Sequence, residues 1–192
     1  MIQQINNPGL MIYGRILEDK RVSILLDRLK QHHPETLGHS LRVGSLTIDL
    51  LIEKAFSDED VLLGGYGGIL HDVGKLCIDP AILSKNGPLT PEEWAIIRCH
   101  PQFGYGILKD FGDERVRQIV VSHHKYQKNP YPVIWQDSVL IPDSKTEALT
   151  QAVAACDMYD ALSSKRSYKA RLFPDLKLKK CLVSNILETG IL

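Results

Sequence analysis

The sequence predicts an all-α domain, and three observations carry that prediction. Apolar residues recur at spacings of three and four over long segments, the period of an amphipathic helix. Helix-start residues stand before several of these segments: Pro34, the Ser57 and Asp60 pair, and Thr90-Pro91-Glu92-Glu93. Strand signals are short and isolated, at best Val139-Leu140-Ile141, and no internal repeat is visible.

Taken in order, a first helix is expected over about residues 15 to 30, where Ile16, Leu17, Ile24, Leu26 and Leu29 follow the helical period. Pro34 opens a second helix, whose apolar run from Leu37 reaches about residue 56 and which carries Glu35 and His39. Ser57 caps a third, which ends at His71. Its glycines, Gly64, Gly65, Gly67 and Gly68, do not form a dinucleotide fingerprint and are read as sites of close helix packing.

Thr90 caps a fourth helix over about residues 91 to 99, with Glu92 and Glu93 near the positive end of its dipole. Pro101 permits a restart to about residue 109, and Asp113 caps a further helix that runs to His124. Residues 125 to 145 hold three prolines and read as a functional loop. Two more helices are expected over about residues 147 to 162 and 174 to 188.

Composition narrows the class. With 192 residues, 44% hydrophobic and 24% charged, the chain reads as one domain over residues 1 to 192 with a core of about 15 to 172. Twenty-three basic residues balance 23 acidic ones, which argues against both disorder and a polycation built for nucleic-acid polymers. No apolar run approaches the roughly 18 residues of a membrane span, and the start lacks a basic, cleavable leader, so a cytoplasmic location is expected. Cys77, Cys99, Cys156 and Cys181 show no CxxC spacing and read as reduced packing thiols.

The histidines carry the chemistry. Glu35 and His39 are four residues apart on one helix and share a face. His71-Asp72 and His123-His124 each fall at a predicted helix end, and Asp157 lies on the helix after the long loop. With His100 these make eight candidate donors. Imidazole and carboxylate without clustered thiolates suit iron, manganese, nickel or zinc.

Eight donors exceed the needs of one ion. A carboxylate can bridge two cations, so the economical arrangement is a two-metal centre, with a third ion where Glu35 joins. Two ions about 3.5 to 4 Å apart can hold a bridging hydroxide and clamp a phosphoryl group, so phosphoester hydrolysis is the expected chemistry. In HDVGK, Gly74 suits a tight turn and Lys75 a point charge for a phosphate.

His39, His71-Asp72 and Asp157 reproduce the pattern of the HD-domain metal-dependent phosphohydrolases. The stretch HDVGKLCIDPAILSKNGPLTPEEWAIIRCHPQFGYGIL further resembles the HD-GYP subfamily, whose known members hydrolyse cyclic di-GMP. The likeness covers roughly residues 35 to 172 and implies the HD-type helical bundle.

The resemblance also implies a distribution of roles. His39, His71, Asp72 and Asp157 would hold one metal, and Asp72 would bridge to a second held by His100, His123 and His124. Glu35 matches the carboxylate that supports a third ion in some members, and iron or manganese is favoured. Lys75 matches a phosphate-contacting lysine. In ACDMYDALSSKRSYK, Asp160, Arg166 and Lys169 match positions that contact the cyclic dinucleotide.

The subfamily's HHExxDGxGYP is here HHKYQKNPYP, one residue shorter, with Lys125 for the acid, Pro130 for a glycine, and Tyr131 and Pro132 retained. Pro130 fixes its own φ where glycine could take a positive value, so a reshaped rim over an unchanged metal floor is expected. Two other readings stay open: a different nucleotide or phosphoester substrate on the same metals, and a signalling or ligand-binding module without turnover. A signalling protein is an expected partner.

Overall fold

The computed structural model describes residues 7–132 and 143–163. Among these, helices α1 (Pro8–Glu18), α2 (Lys20–His32), α3 (Pro34–Glu53) and α4 (Asp58–Leu70) lead to a 3-10 turn at Val73–Cys77. Then follow α5 (Pro80–Leu83), α6 (Pro91–Ile97), α7 (His100–Ile107), α8 (Glu114–Ser122) and α9 (Ser144–Ser163). The all-α expectation holds, with no strand among the described residues. The expected helix over 174 to 188 and the run Val139-Leu140-Ile141 lie outside them.

The expected first helix is in fact two. Asn7 Oδ1 accepts from Gly9 N at 2.9 Å and starts α1 at Pro8. Asp19 then leaves the helical conformation, with ψ at 117°, and its carboxylate accepts from Arg21 N to start α2. The apolar period runs on from Ile16 to Val22, so hydrophobicity alone hides the break. α9 likewise starts earlier than expected, because Asp143 Oδ1 accepts from Thr146 N at 2.9 Å.

α3 and α4 form the centre of the bundle. A Cβ on Gly44 would stand 2.2 Å from Ile69 Cγ1, and one on Gly68 3.0 Å from Gly44 Cα, so only glycine lets the two backbones approach this closely. The packing reading of the α4 glycines is therefore correct, and α4 is buried nearly all round. Ile16, Leu29, Ile48, Leu51, Ile69, Leu70, Ile119 and Leu149 fill the space around the pair. Each such side chain contributes about 1.5–3 kcal/mol on burial.

This packing brings chain ends with polar residues to one place. α4 ends at His71 and α8 at His123, while α7 begins at His100. His39 comes from the middle of α3 and Asp157 from α9. Gly74 closes the arrangement: a Cβ there would lie 1.8 Å from the His100 carbonyl oxygen. Close approach of the 3-10 turn to α7, rather than the sharpness of the turn, requires this glycine.

Candidate metal centre

Seven of the eight donors converge. His39, His71 and Asp157 form one group whose ligand atoms lie within 4.8 Å of one another, and His100, His123 and His124 form a second. His71, Asp72 and His123 form a third that joins them. Asp72 faces both sides: its Oδ1 is 3.3 Å from His100 Nε2, and its Oδ2 is 3.4 Å from His71 Nε2 and 3.6 Å from His39 Nε2.

Helix ends explain the orientation of three rings. His71, His100 and His123 donate Nδ1–H to the carbonyls of Gly68, Ile97 and Val120, each three residues earlier, at 2.8, 2.8 and 2.7 Å. A carbonyl only accepts, so the proton sits on Nδ1 and the Nε2 lone pair faces the centre. His39 lies mid-helix, where its neighbouring carbonyls are occupied. It instead gives Nδ1–H to Asp160 Oδ2 at 2.7 Å, with Nε2 3.0 Å from Asp157 Oδ1.

Asp160 therefore stands behind His39. Its oxygens also accept from Arg42 Nε and a terminal Arg42 nitrogen at 2.7 and 2.9 Å, and the residue is buried. The resemblance implies a dinucleotide contact for Asp160; in the structure its carboxylate accepts from His39 and Arg42. Lys75 Nζ lies 2.6 Å from Asp72 Oδ2. Glu35 is exposed and belongs to none of the three groups. Arg166 and Lys169 lie outside the described residues.

Sequence reasoning missed Arg42 and Gln127. Arg42 follows His39 by one helical turn, a signal that becomes visible only once Asp160 is known to lie behind the ring. The Gln127 amide nitrogen Nε2 lies 2.5 Å from His124 Nδ1, and the Tyr131 ring stacks on His124 at 4.3 Å and 28°. The altered loop thus touches the floor of the centre at His124. Lys125, which replaces the subfamily's acid, pairs with Glu147 of α9 at 2.7 Å.

The electrostatics differ around the centre. Burial pushes the His100 imidazole down to about 3 and His124 to about 4, and takes His123 well below its ordinary value. Burial also disfavours the His39 cation, but hydrogen bonds to Asp157 and Asp160 outweigh it and hold His39 at about 9. Burial raises Asp72, yet Lys75, His71 and His100 overcome it and keep the carboxyl well below its usual range. Asp157 is lowered too, against burial, chiefly by its hydrogen bond from His39.

The donor set fits divalent metal ions. It offers buried imidazoles, with His100 and His123 held neutral and their Nε2 atoms turned inward, beside ionised carboxylates, and no clustered thiolates are among the described residues.

The comparisons with known proteins agree with this geometry. The HD domain family model matches residues 36–162. A cyclic di-GMP phosphodiesterase of Pseudomonas aeruginosa is 33% identical over 82% of this chain and 37% of its own length. A 3'3'-cGAMP-specific phosphodiesterase of Vibrio cholerae is 34% identical over 85% of this chain and 31% of its own. The chain thus spans about a third of the length of these relatives. The HD domain of Listeria monocytogenes PgpH, solved in complex with cyclic-di-AMP, superposes with a TM-score of 0.59 at 18% identity, covering 86% of this chain and 81% of that one. Among the described residues, no helix is long and apolar enough to cross a membrane. The fold, the convergent histidine and aspartate groups, and the match over most of its length agree: this chain belongs to the HD domain family.

Proposed function

We propose that this chain is the hydrolytic domain of a metal-dependent phosphodiesterase that opens cyclic di-GMP at a centre of two divalent ions. The observation that carries the reading is Asp72, with one oxygen toward His100 and the other toward His71 and His39. On this reading His39, His71, Asp72 and Asp157 hold one ion, and Asp72, His100, His123 and His124 hold the other. Exposed Glu35 stays outside, so the reading keeps to two ions.

A mixed imidazole and carboxylate set favours iron or manganese, with nickel or zinc as alternatives. Bound ions would supply Lewis acidity toward the phosphoryl oxygens and would acidify water for in-line attack. The protein's own residues do the rest. Backbone carbonyls and Asp160 fix the imidazole tautomers, burial keeps bulk water from the donors, and Lys75 places a cation where charge develops on the phosphate. Arg166 and Lys169 are proposed as further phosphate contacts. The relatives named for cyclic dinucleotides support that substrate class, and a nucleotide substrate of this kind is consistent with a cytoplasmic location.

The test is elemental analysis of anaerobically purified protein, paired with hydrolysis of cyclic di-GMP, 3'3'-cGAMP and bis(p-nitrophenyl) phosphate. About two ions per chain and chelator-sensitive turnover of cyclic di-GMP are expected. One ion or fewer in well-loaded protein, or turnover indifferent to chelation, would overturn the reading.

A further inference from the structure

We propose that Arg98 is a second phosphate-binding residue beside the centre, held over the Tyr131 ring so that a substrate with two phosphodiester groups is gripped at both. The proposal rests on the phosphodiesterase reading and adds a specificity-determining residue to it. Arg98 caps the C-terminus of α6 and precedes His100 by two residues. Its guanidinium carbon lies 5.6 Å from the Tyr131 ring centre. That ring stacks on His124 and also lies 6.1 Å from the His100 ring, edge to face. Arg98 is therefore one aromatic ring away from the second group of donors.

The charge pattern separates Arg98 from its neighbours. Lys75 rests on Asp72, Arg42 on Asp160 and Lys125 on Glu147, at 2.6, 2.7 and 2.7 Å. Arg98 is exposed and, among the described residues, has no carboxylate within salt-bridge distance. A guanidinium over an aromatic face is positioned by the ring while its N–H groups remain available, and that planar fork matches a phosphate with two parallel hydrogen bonds.

The geometry suits a substrate with two anionic groups. Convergent donors serve the phosphodiester being cleaved, and a cyclic dinucleotide carries its second phosphodiester across the same macrocycle. Lys75 is committed to Asp72, on the cleavage side. Arg98 supplies a cation at a separate point on the edge of the site, where a substrate with a single phosphate has nothing to offer it.

The experiment compares wild type, Arg98→Gln and Arg98→Lys, all loaded with manganese, on cyclic di-GMP and on bis(p-nitrophenyl) phosphate. For Arg98→Gln, the ratio of kcat/KM on cyclic di-GMP to kcat/KM on the simple diester is expected to fall about tenfold, the equivalent of about 1.4 kcal/mol, through KM rather than kcat. Arg98→Lys keeps the charge but loses the fork, so its fall is smaller. Metal content and thermal midpoint stay at wild-type values in both. An unchanged ratio, with both substrates affected equally or neither affected, overturns the proposal and leaves Arg98 as packing for Tyr131. Should wild type bind cyclic di-GMP without cleaving it, the hydrolase reading fails, while the Arg98 contact is still read as the same change in Kd. Absence of both binding and turnover in wild type overturns both.

Discussion

The two halves of the centre are built differently. The His39 half is assembled from α3, α4 and α9, two of them 20 residues long, and its key ring is held by the Asp160 carboxylate and, through it, by Arg42. The His100 half comes from α7 and α8, of eight and nine residues, and its rings are held by helix-end carbonyls and by the 125–132 loop. The difference shows where variation can enter. The first half is fixed by the central packing of the bundle, whereas His124 in the second depends on a loop that already departs from the subfamily pattern. Asp72 is the residue on which both halves meet.

The largest expected effect therefore joins the halves. Asp72→Ala should empty both metal positions together, as read by elemental analysis. It should also reduce cyclic di-GMP turnover at least about a thousandfold, since lost Lewis-acid stabilisation is worth several kcal/mol. Selective loss of one ion would show that the halves are independent and that Asp72 belongs to one of them.

Gly74→Ala should come next, and it should strike one half. The new Cβ would meet the His100 carbonyl oxygen at 1.8 Å, a backbone contact that cannot yield by rotamer change. Destabilisation of about 3 kcal/mol is expected, at the upper end for overpacking, together with reduced metal at the His100 half. A wild-type thermal midpoint would mean that α7 is free to slide away from the 3-10 turn.

The halves should also give the metal-free protein opposite pH slopes. His100 and His124 are depressed in the fold to about 3 and about 4, so below the unfolded value near 6.5 the unfolded chain binds more protons. Their stability is complete above pH 6.5 and is lost as pH falls toward the folded values. His39 is raised to about 9, so its contribution is complete below pH 6.5 and is lost as pH rises through 9. Denaturation of chelator-treated protein should show a maximum near pH 6.5, with limits of about 1.4 kcal/mol per unit and per group on either side. A monotonic rise from pH 5 to 9 would remove the assigned difference between the halves.

Asp160→Ala should act on the His39 half alone. Removing the carboxylate behind a ligating histidine lowers metal affinity about 10–100-fold, and Arg42 would also lose its partner. Titration of the two ions should show the weakening in one site. Equal weakening in both would mean that Asp160 supports the bundle generally rather than His39.

Much of this was legible in the sequence, because donors at helix ends are marked by caps and by the end of the apolar period. His71 after GGYGGIL and His123 after the Asp113-capped segment fall where those signals stop. What stayed hidden depends on partners distant in sequence. Asp160 and His39 are 121 residues apart, and nothing local shows that one caps the other. Glu35 shows the converse limit: its four-residue spacing to His39 is correct for a shared face, but Glu35 itself is exposed at the start of α3, while His39 is buried a turn deeper. The break at Asp19 was hidden because a capping carboxylate interrupted the backbone without interrupting the apolar spacing.

The smallest effect expected is the most direct test of the loop-dependent half. Gln127 is exposed, and its amide nitrogen Nε2 lies 2.5 Å from His124 Nδ1, where it donates to the ring. For His124 to present an Nε2 lone pair, Nδ1 must carry the proton and the amide must turn over so that its oxygen accepts it; glutamine selects the ligating tautomer only after that flip. Water can replace an exposed acceptor, which limits the loss. Gln127→Ala should weaken the His100-side ion about tenfold, the low end for such supports, and leave the His39-side ion unchanged. Gln127→Glu supplies only acceptors toward Nδ1 and should match or exceed wild-type affinity. If Gln127→Glu weakened the site as much as Gln127→Ala, the tautomer argument would fail, and Tyr131 stacking would remain as the loop's hold on His124.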